Sequence, residues 1–240
     1  MAWSTLFSDG YEADPGNWTQ MLASGQGAQE LVVAYHTEGA KSHECTVYHP
    51  TGTSEGRAVK TLAPFAAVGT DIRLVWDVMF GGWNGAESDW RANSDYVIAD
   101  PLLFGLMAKA GVASGFRIWV NTDSTLTLTV HSASPASDTS VNTVAKGGLS
   151  QHFYTLQLDA TIANSGGSAS LKVDGVEWCS LSGIDTYVDL LDTVWTGVYS
   201  ASAVTAELAT WHDNLVLYER TTPSAKGAWY YRMLNRRRSD

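Results

Sequence analysis

The sequence predicts an all-β protein built as two packed antiparallel sheets. Its hydrophobic segments are short and rich in β-branched and aromatic residues, and several alternate apolar with polar positions, which is the period of a half-buried strand. Turn-forming residues separate these segments, as in a sandwich or barrel. With 240 residues, 45% of them hydrophobic, and 10 tryptophans, the chain can bury one large core.

Eight segments carry the strand pattern, and in chain order they are 31–36, 72–80, 116–120, 126–130, 153–158, 169–173, 194–199 and 215–218. Asp174-Gly175 predicts a tight hairpin, because both residues tolerate the positive φ of such a turn. Residues 102–109 fit a helical turn or a strand. We expect the following residues to be largely buried: Trp76, Trp119, Leu128, Leu156, Leu171, Val173, Trp195, Val198 and Val216.

The domain organisation is predicted from the distribution of charge and from the position of the first linker-like segment. No linker or internal repeat interrupts the chain before Thr221, so we expect one domain over 1–222 and a separate tail over 223–240. The tail holds five basic residues and one acidic residue, whereas the domain holds 10 basic and 24 acidic residues. An acidic domain is a poor partner for nucleic acid. We also expect neither a membrane span nor a secretory signal, because the sequence shows no long apolar run and no signal pattern.

Three stretches point to a family. The strand at 152–159, a Gly/Ser turn and the strand at 169–173 ending in Asp-Gly resemble the core hairpins of concanavalin A-like, LamG-type jelly rolls. The segment 211–218 is similar to the final strand of that family, and 7–12 is similar to its first strand. The resemblance implies a two-sheet jelly roll. Because lectins, glycosidases, adhesion modules and viral coat proteins all use this sandwich, it does not by itself assign a function.

The sequence gives little support for glycoside hydrolysis. Hydrolases of this fold present Glu-x-Asp-x-x-Glu on one strand, so that two carboxylates flank the scissile bond. The pattern begins at Glu12-Ala-Asp14 and at Glu87-Ser-Asp89, but Asn17 and Ala92 replace the second glutamate. We therefore expect a non-enzymatic protein.

His43, Cys45, Val47 and His49 fall on one face of a predicted strand. The first two residues could share a zinc ion, but His49 is too far along the strand to complete the site. We expect a half-buried strand face instead. Cys45 and Cys179 are expected to be reduced thiols, although one long-range bridge stays open.

The family resemblance also implies a calcium site, because these sandwiches often tie their first and last strands together with Ca²⁺. Asp213 matches the position that supplies the carboxylate, and Asp9 or Glu12 would face it. The alternative is that Asp213 only hydrogen-bonds the adjacent loop.

The segment 81–95 is the most site-like part of the sequence. It mixes aromatic, acidic, amide and basic groups, namely Trp83, Asn84, Glu87, Asp89, Trp90 and Arg91. A flat aromatic ring with planar polar neighbours suits a sugar, and the same composition suits a subunit interface. A lid folded on its own sandwich is the third interpretation.

The tail predicts a short amphipathic helix. Its apolar stripe comprises Trp229, Tyr230, Met233 and Leu234, and Arg236 lies on the other side near the C-terminal end. Such a short helix is marginal alone in water, so we expect it to dock on a protein partner, with Trp229 as the anchor. A disordered basic tail is the alternative.

These features favour a structural or adhesion component of a bacteriophage virion, either capsid decoration or tail-associated, assembled in the host cytoplasm. Its expected partners are other copies or other structural proteins of the same assembly, and a host surface glycan. The alternative is a carbohydrate-binding module or lectin, and a glycoside hydrolase is the third candidate.

Overall fold

A computed structural model gives the fold. It describes residues 2–13, 16–33, 35–48, 51–83, 90–91, 97–98, 102–108, 115–120, 126–131, 138–142, 152–186, 190–200 and 206–221. The strands, in chain order, are β1 (Ser4–Asp9), β2 (Gln20–Ser24), β3 (Gly27–Val32), β4 (Ser42–Tyr48), β5 (Ser54–Phe65), β6 (Thr70–Trp83), β7 (Trp90–Arg91), β8 (Val97–Ile98), β9 (Leu102–Ala108), β10 (Gly115–Val120), β11 (Leu126–His131), β12 (Asp138–Asn142), β13 (Tyr154–Thr161), β14 (Gly167–Val173), β15 (Val176–Ile184), β16 (Leu191–Ser200) and β17 (Ala206–Thr221). Within these ranges, no helix has the length and apolar character needed to cross a membrane.

The strands form two antiparallel sheets. One has ten strands in the order β15-β14-β13-β6-β17-β4-β3, with β1 and β8 pairing with β17 and β7 pairing with β6. The other has seven strands in the order β12-β11-β10-β9-β16-β5-β2. Buried side chains of both sheets form one hydrophobic cluster between them. The predicted two-sheet, all-β architecture is confirmed.

The core takes alternate residues of each strand. Of the residues predicted to be buried, seven are: Trp76, Leu128, Leu156, Leu171, Val173, Trp195 and Val198. Trp119 and Val216 are only partly buried, so the prediction is wrong for these two. Ile118 faces the core, which turns its neighbour Trp119 outward. Leu215 and Leu217 take the inward positions on either side of Val216.

Two elements differ from the strand pattern of the sequence. β3 ends at Val32 rather than at His36, because the chain leaves the sheet and crosses its outer face. There Tyr35 packs against Trp211 of β17, with 5.1 Å between the ring centroids. Residues 102–108 form strand β9 between β10 and β16, not a helical turn.

The predicted hairpin is confirmed. Val173 of β14 pairs with Val176 of β15, and Asp174 and Gly175 turn between them with φ of 50° and 77°. Positive φ at both central residues is the requirement of the tight type I′ turn that Asp-Gly favours.

Candidate functional site

The outer face of the seven-stranded sheet presents polar and aromatic residues on consecutive strands. The three apolar residues of β11 at 126, 128 and 130 are buried in the core, so Thr127 and Thr129 point to the other side of the sheet, where they too are buried. The same alternation places Arg117 and Trp119 of β10 on that face. We call this surface the outer seven-stranded face.

Strand register aligns these residues into two rows across the sheet. The Trp195 row runs through Thr129, Arg117, Leu106, Trp195, Val59 and Gln20. The Tyr199 row runs through Asn142, Thr127, Trp119, Leu103, Tyr199, Glu55 and Ser24. With strands ~4.8 Å apart, the Tyr199 row spans roughly 29 Å and the Trp195 row roughly 24 Å, which is long enough for an extended ligand.

Arg57 joins the two rows. Its guanidinium carbon lies 5.1 Å from the centroid of the Trp195 ring and 5.3 Å from that of Tyr199. The residue opposite Arg57 is Gly197, which lies between the two aromatic residues in β16. A Cβ at Gly197 would come within 2.7 Å of the Arg57 Cβ, so only glycine leaves room for this contact.

The described side chains of this face carry more positive than negative charge. Arg57 and Arg117 supply two guanidinium groups, and Glu55 supplies one carboxylate. The Nε of Arg57 donates to Glu55 Oε2 at 2.5 Å, which fixes the arginine over the rings.

Trp195 adds an unsatisfied donor to this face. Its side chain is 2% exposed, and its Nε1–H has no hydrogen-bond partner among the described residues. Buried donors are nearly always paired, so this N–H is one of the few exceptions among the described residues.

The structure brings the two tryptophans of the predicted 81–95 site together. Trp83 at the end of β6 pairs with Trp90 of β7, and Gly82 pairs with Arg91. Asn84, Glu87 and Asp89 lie outside the described residues, as do the side chains of Trp83, Trp90 and Arg91. The three interpretations of this segment stay predictions.

Asp213 is fully buried and holds the loop that follows β3. Its Oδ2 accepts hydrogen bonds from the backbone N–H of Thr37 at 2.7 Å and of Glu38 at 3.1 Å, and from the Thr37 hydroxyl at 2.9 Å. Its Oδ1 accepts from the N–H of Asn214 at 2.8 Å. This is the loop-binding role that the sequence left open beside a calcium site.

The other two predicted calcium ligands also bind backbone amides. Asp9 accepts from Tyr11 at 2.6 Å and from Asn17 at 2.9 Å, and Glu12 accepts from Ala40 at 2.8 Å. Over the part of the chain that the structure describes, no three His, Cys, Asp or Glu side chains are grouped to hold a metal ion. The calcium site stays a prediction.

His43 and Cys45 are fully buried in the core, with 3.3 Å between the Cys45 sulfur and His43 Nδ1. Burial lowers the pKa of His43 to about 3 and also lowers the pKa of His212, which lies opposite it in β17, so both imidazoles are neutral. His49 lies outside the described residues. Cys45 and Cys179 are buried and form no disulfide.

The whole predicted docking segment at 223–240 lies outside the described residues, including Trp229, Tyr230, Met233, Leu234 and Arg236. Its docking role stays a prediction.

Comparison with known proteins places the fold. No protein-family model matches this sequence, and a sequence comparison with characterised proteins finds no match. The endo-β-1,4-glucuronan lyase of the fungus Trichoderma reesei superposes with a TM-score of 0.64 at 12% identity, over 89% of this chain and 95% of that chain. An alginate lyase from Chlorella virus gives 0.53 at 11% identity, over 85% and 93%.

The binding domain of botulinum neurotoxin DC, solved in complex with SialylT, gives a TM-score of 0.53 at 10% identity, over 82% of this chain. This chain spans less than half of that structure, at 43%. The chain shares the β-sandwich jelly roll of these proteins. The fold implied by the sequence resemblance is therefore confirmed.

These comparisons correct the prediction of a non-enzymatic protein. That prediction depended on the missing pair of glycosidase carboxylates, but two of the similar structures are polysaccharide lyases. Lyases cleave by elimination and do not need that pair. The prediction is therefore wrong, because the missing pattern does not exclude catalysis on this fold.

Sequence reasoning missed the Arg57 site. The sequence predicts one strand that contains Trp195 and Tyr199, but no sequence pattern connects that strand to Arg57, which is 138 positions from Trp195 in the chain. One signal was present: Gly197 interrupts an otherwise bulky strand, and a glycine in a strand interior often marks close approach of another group.

Proposed function

We propose that this chain binds an acidic polysaccharide across the outer seven-stranded face. The observation that carries the proposal is Arg57 layered on Trp195 and Tyr199. The Tyr199 ring is partly exposed and can receive the apolar face of a sugar, whereas the buried Trp195 ring supports Arg57 from below. A guanidinium group can bind a carboxylate through two hydrogen bonds. Both groups meet at one place on this face, between the two rows.

Charge and the comparisons support the same class of ligand. Arg57 and Arg117 bring two guanidinium groups to this face, and the Glu55 carboxylate pairs with Arg57, whereas the whole chain has a net charge of −10. Two of the similar structures are lyases named for glucuronan and alginate. We infer that repeated uronate carboxylates would contact Arg57 and Arg117.

Calorimetric titration with oligoglucuronate and oligoalginate tests the proposal. We expect Arg57→Ala to weaken binding at least tenfold, and Arg57→Lys to fall between this variant and the original chain, because lysine keeps the charge but cannot bind bidentately. Arg220→Ala, on the opposite sheet, is the matched control and should bind normally. Equal binding by Arg57→Ala and the original chain would contradict the proposal, as would no binding of either oligosaccharide.

A second candidate function is elimination on the same face, favoured by the phenol of Tyr199 beside the Arg57 guanidinium. In this reaction Arg57 would neutralise the uronate carboxylate, and the Tyr199 oxygen, as phenolate, would take the proton from the adjacent carbon. The electron pair would form a carbon–carbon double bond, and the Tyr199 phenol would return the proton to the departing glycosidic oxygen. Tyr199→Phe should then abolish the ultraviolet absorbance of the unsaturated product while binding persists. No unsaturated product from the original chain would end this candidate.

The biological setting that we propose is a bacteriophage virion, in which this face would bind a host surface glycan. The support is the basic, aromatic composition of residues 223–240, which suits docking on an acidic protein surface. Deleting 223–240 should leave the domain folded but exclude it from particles. Normal incorporation of the truncated chain would refute the docking role.

A further inference from the structure

A groove of about 380 Å³ lies on the outer face of the ten-stranded sheet, which is the opposite side of the molecule from Arg57. Its floor is formed by Ser168 and Ser170 of β14 and by Ser182 and Ser180 of β15, which pair in that order. Because serine is small, the floor is open. No hydrogen bond joins these four hydroxyls to another described residue, so they are available to a ligand.

One wall of the groove is a fixed set of ion pairs. The Nε of Arg73 donates to Asp159 Oδ1 at 2.5 Å, and the Nε of Arg220 donates to Asp71 Oδ2 at 2.8 Å. The hydroxyl of Thr161 donates to the other oxygen of Asp71 at 2.8 Å. These bonds hold planar donors and acceptors in place before a ligand arrives, which lowers the entropy cost of binding.

Trp3 lies at the same wall. Its ring centroid is 4.7 Å from the Arg73 guanidinium carbon and 4.5 Å from that of Arg220. The ring of Tyr218 meets it edge-on, with 6.4 Å between centroids. The indole is therefore positioned by three neighbours while its side chain stays partly exposed.

The charge of the lining decides the class of ligand. Two guanidinium groups face three carboxylates, because Glu177 joins Asp71 and Asp159 in the lining, and Lys172 Nζ lies 3.4 Å from Asp159 Oδ2. Three positive and three negative charges balance, so the groove favours neither an anion nor a cation. Hydroxyls, planar polar groups and an aromatic ring in one cleft are the groups that recognise a ring bearing many hydroxyls.

We propose that this groove binds an uncharged hexopyranosyl unit, with Trp3 against the ring and the serine floor bonded to its hydroxyls. The site is separate from the proposed acidic-polysaccharide face, and its failure would leave that proposal intact.

Saturation-transfer NMR on the full chain tests the proposal with methyl glucoside, methyl galactoside and methyl mannoside as probes. Methyl glucuronide is the charged counterpart of the glucoside. We expect at least one uncharged glycoside to bind, and to bind more tightly to this groove than the glucuronide. Trp3→Ala removes the aromatic wall and Ser170→Leu fills the floor, and each should weaken binding at least tenfold.

Two controls accompany these variants. Arg57→Ala, on the other face, should bind the uncharged glycoside normally. Thr61→Leu, at an exposed strand position outside the groove, measures how much an added leucine changes binding and stability by itself. Thermal unfolding shows that each variant is folded. The proposal is overturned if no uncharged glycoside binds, if binding survives both Trp3→Ala and Ser170→Leu, or if Arg57→Ala alone removes it. Equal binding of the glucuronide in the groove would also overturn it.

Discussion

At the scale of single residues, Asp213 connects two parts of the chain that are far apart in sequence. Its carboxylate accepts three hydrogen bonds from Thr37 and Glu38. These bonds keep the loop after β3 on the outer face of the ten-stranded sheet, where Tyr35 covers Trp211. The sequence predicts either a calcium ligand or a loop contact at Asp213, but the neighbouring residues in the sequence do not reveal which loop, because Thr37 is 176 positions away.

We expect Asp213→Ala to lower the free energy of unfolding by about 3 kcal/mol, because four part-buried hydrogen bonds lose a charged acceptor that is itself fully buried. Urea unfolding measures the change. Glu38→Gln is the matched control, since only the backbone N–H of Glu38 joins this cluster, and it should change stability by less than about 0.5 kcal/mol. Equal losses of stability in the two variants would contradict the role of Asp213 in holding the loop after β3.

Repeating the measurement with a chelator tests the predicted calcium ion. If calcium binds at Asp213, chelation lowers the melting temperature of the original chain, and Asp213→Ala removes that difference. An unchanged melting temperature would leave Asp213 with the loop-binding role alone.

Glu44 gives a second residue-scale prediction. Burial raises the pKa of Glu44 to about 7, with a further rise from Glu30 opposite it, although the Trp211 indole N–H donates to its carboxylate at 2.7 Å. The folded chain therefore holds this proton between about pH 4.5 and 7, where the unfolded chain has lost it. The contribution of Glu44 to the free energy of unfolding is complete below pH 4.5 and is lost as the pH rises through 7.

Glu44→Gln should remove this loss while keeping an acceptor for Trp211. We expect the variant to match the original chain at pH 4 and to be more stable by about 2 kcal/mol at pH 8. The buried His43 acts in the opposite direction: its pKa is lowered to about 3, so its contribution falls as the pH drops below about 6.5. An equal gain in the free energy of unfolding from Glu44→Gln at pH 4 and pH 8 would contradict the raised pKa of Glu44.

At the scale of elements, the sequence predicted strands well where apolar and polar residues alternate, as in β11, and predicted the Asp174-Gly175 hairpin from turn chemistry. It failed where tertiary contacts decide the outcome. Val33 is 68% exposed despite its strand-like neighbours, because the chain turns out of the sheet there. Alternation alone also could not tell which aromatic residues face inward, as Trp119 shows.

Gly197 is the element-scale test of the Arg57 site. Its φ is 126°, and a Cβ there would lie 2.3 Å from the Gly56 carbonyl oxygen. We expect Gly197→Ala to destabilise the fold by about 2 kcal/mol or more and to weaken oligoglucuronate binding.

Gly175→Ala is the matched control for that measurement. Gly175 also has positive φ, at 77°, but its Cβ would meet no atom within 4 Å, so only about 1 kcal/mol of backbone strain is expected. Urea unfolding compares the two variants. If Gly197→Ala lowers the free energy of unfolding no more than Gly175→Ala does, the close approach of β5 to Gly197 would be contradicted.

At the scale of the whole molecule, the fold was predictable because hydrophobic period and turn residues are local signals. The candidate site was not, because it depends on register. Trp195 and Arg117 share a row only because both pair with β9, which lies between their strands, and this pairing cannot be read from the sequence. The segment 81–95 is recognisable as a candidate site because its polar and aromatic residues are contiguous in the sequence. The residues of the Arg57 site are spread over separate strands, so no local pattern predicts it.

The central claim is that an acidic polysaccharide lies across the outer seven-stranded face. Mapping backbone amide chemical shifts during titration with oligoglucuronate tests this most directly. We predict that the largest changes fall in β5, β10 and β16, around Arg57, Arg117 and Trp195, and that Arg57→Ala removes them. Changes confined to the ten-stranded sheet, or no saturable change at all, would contradict the claim.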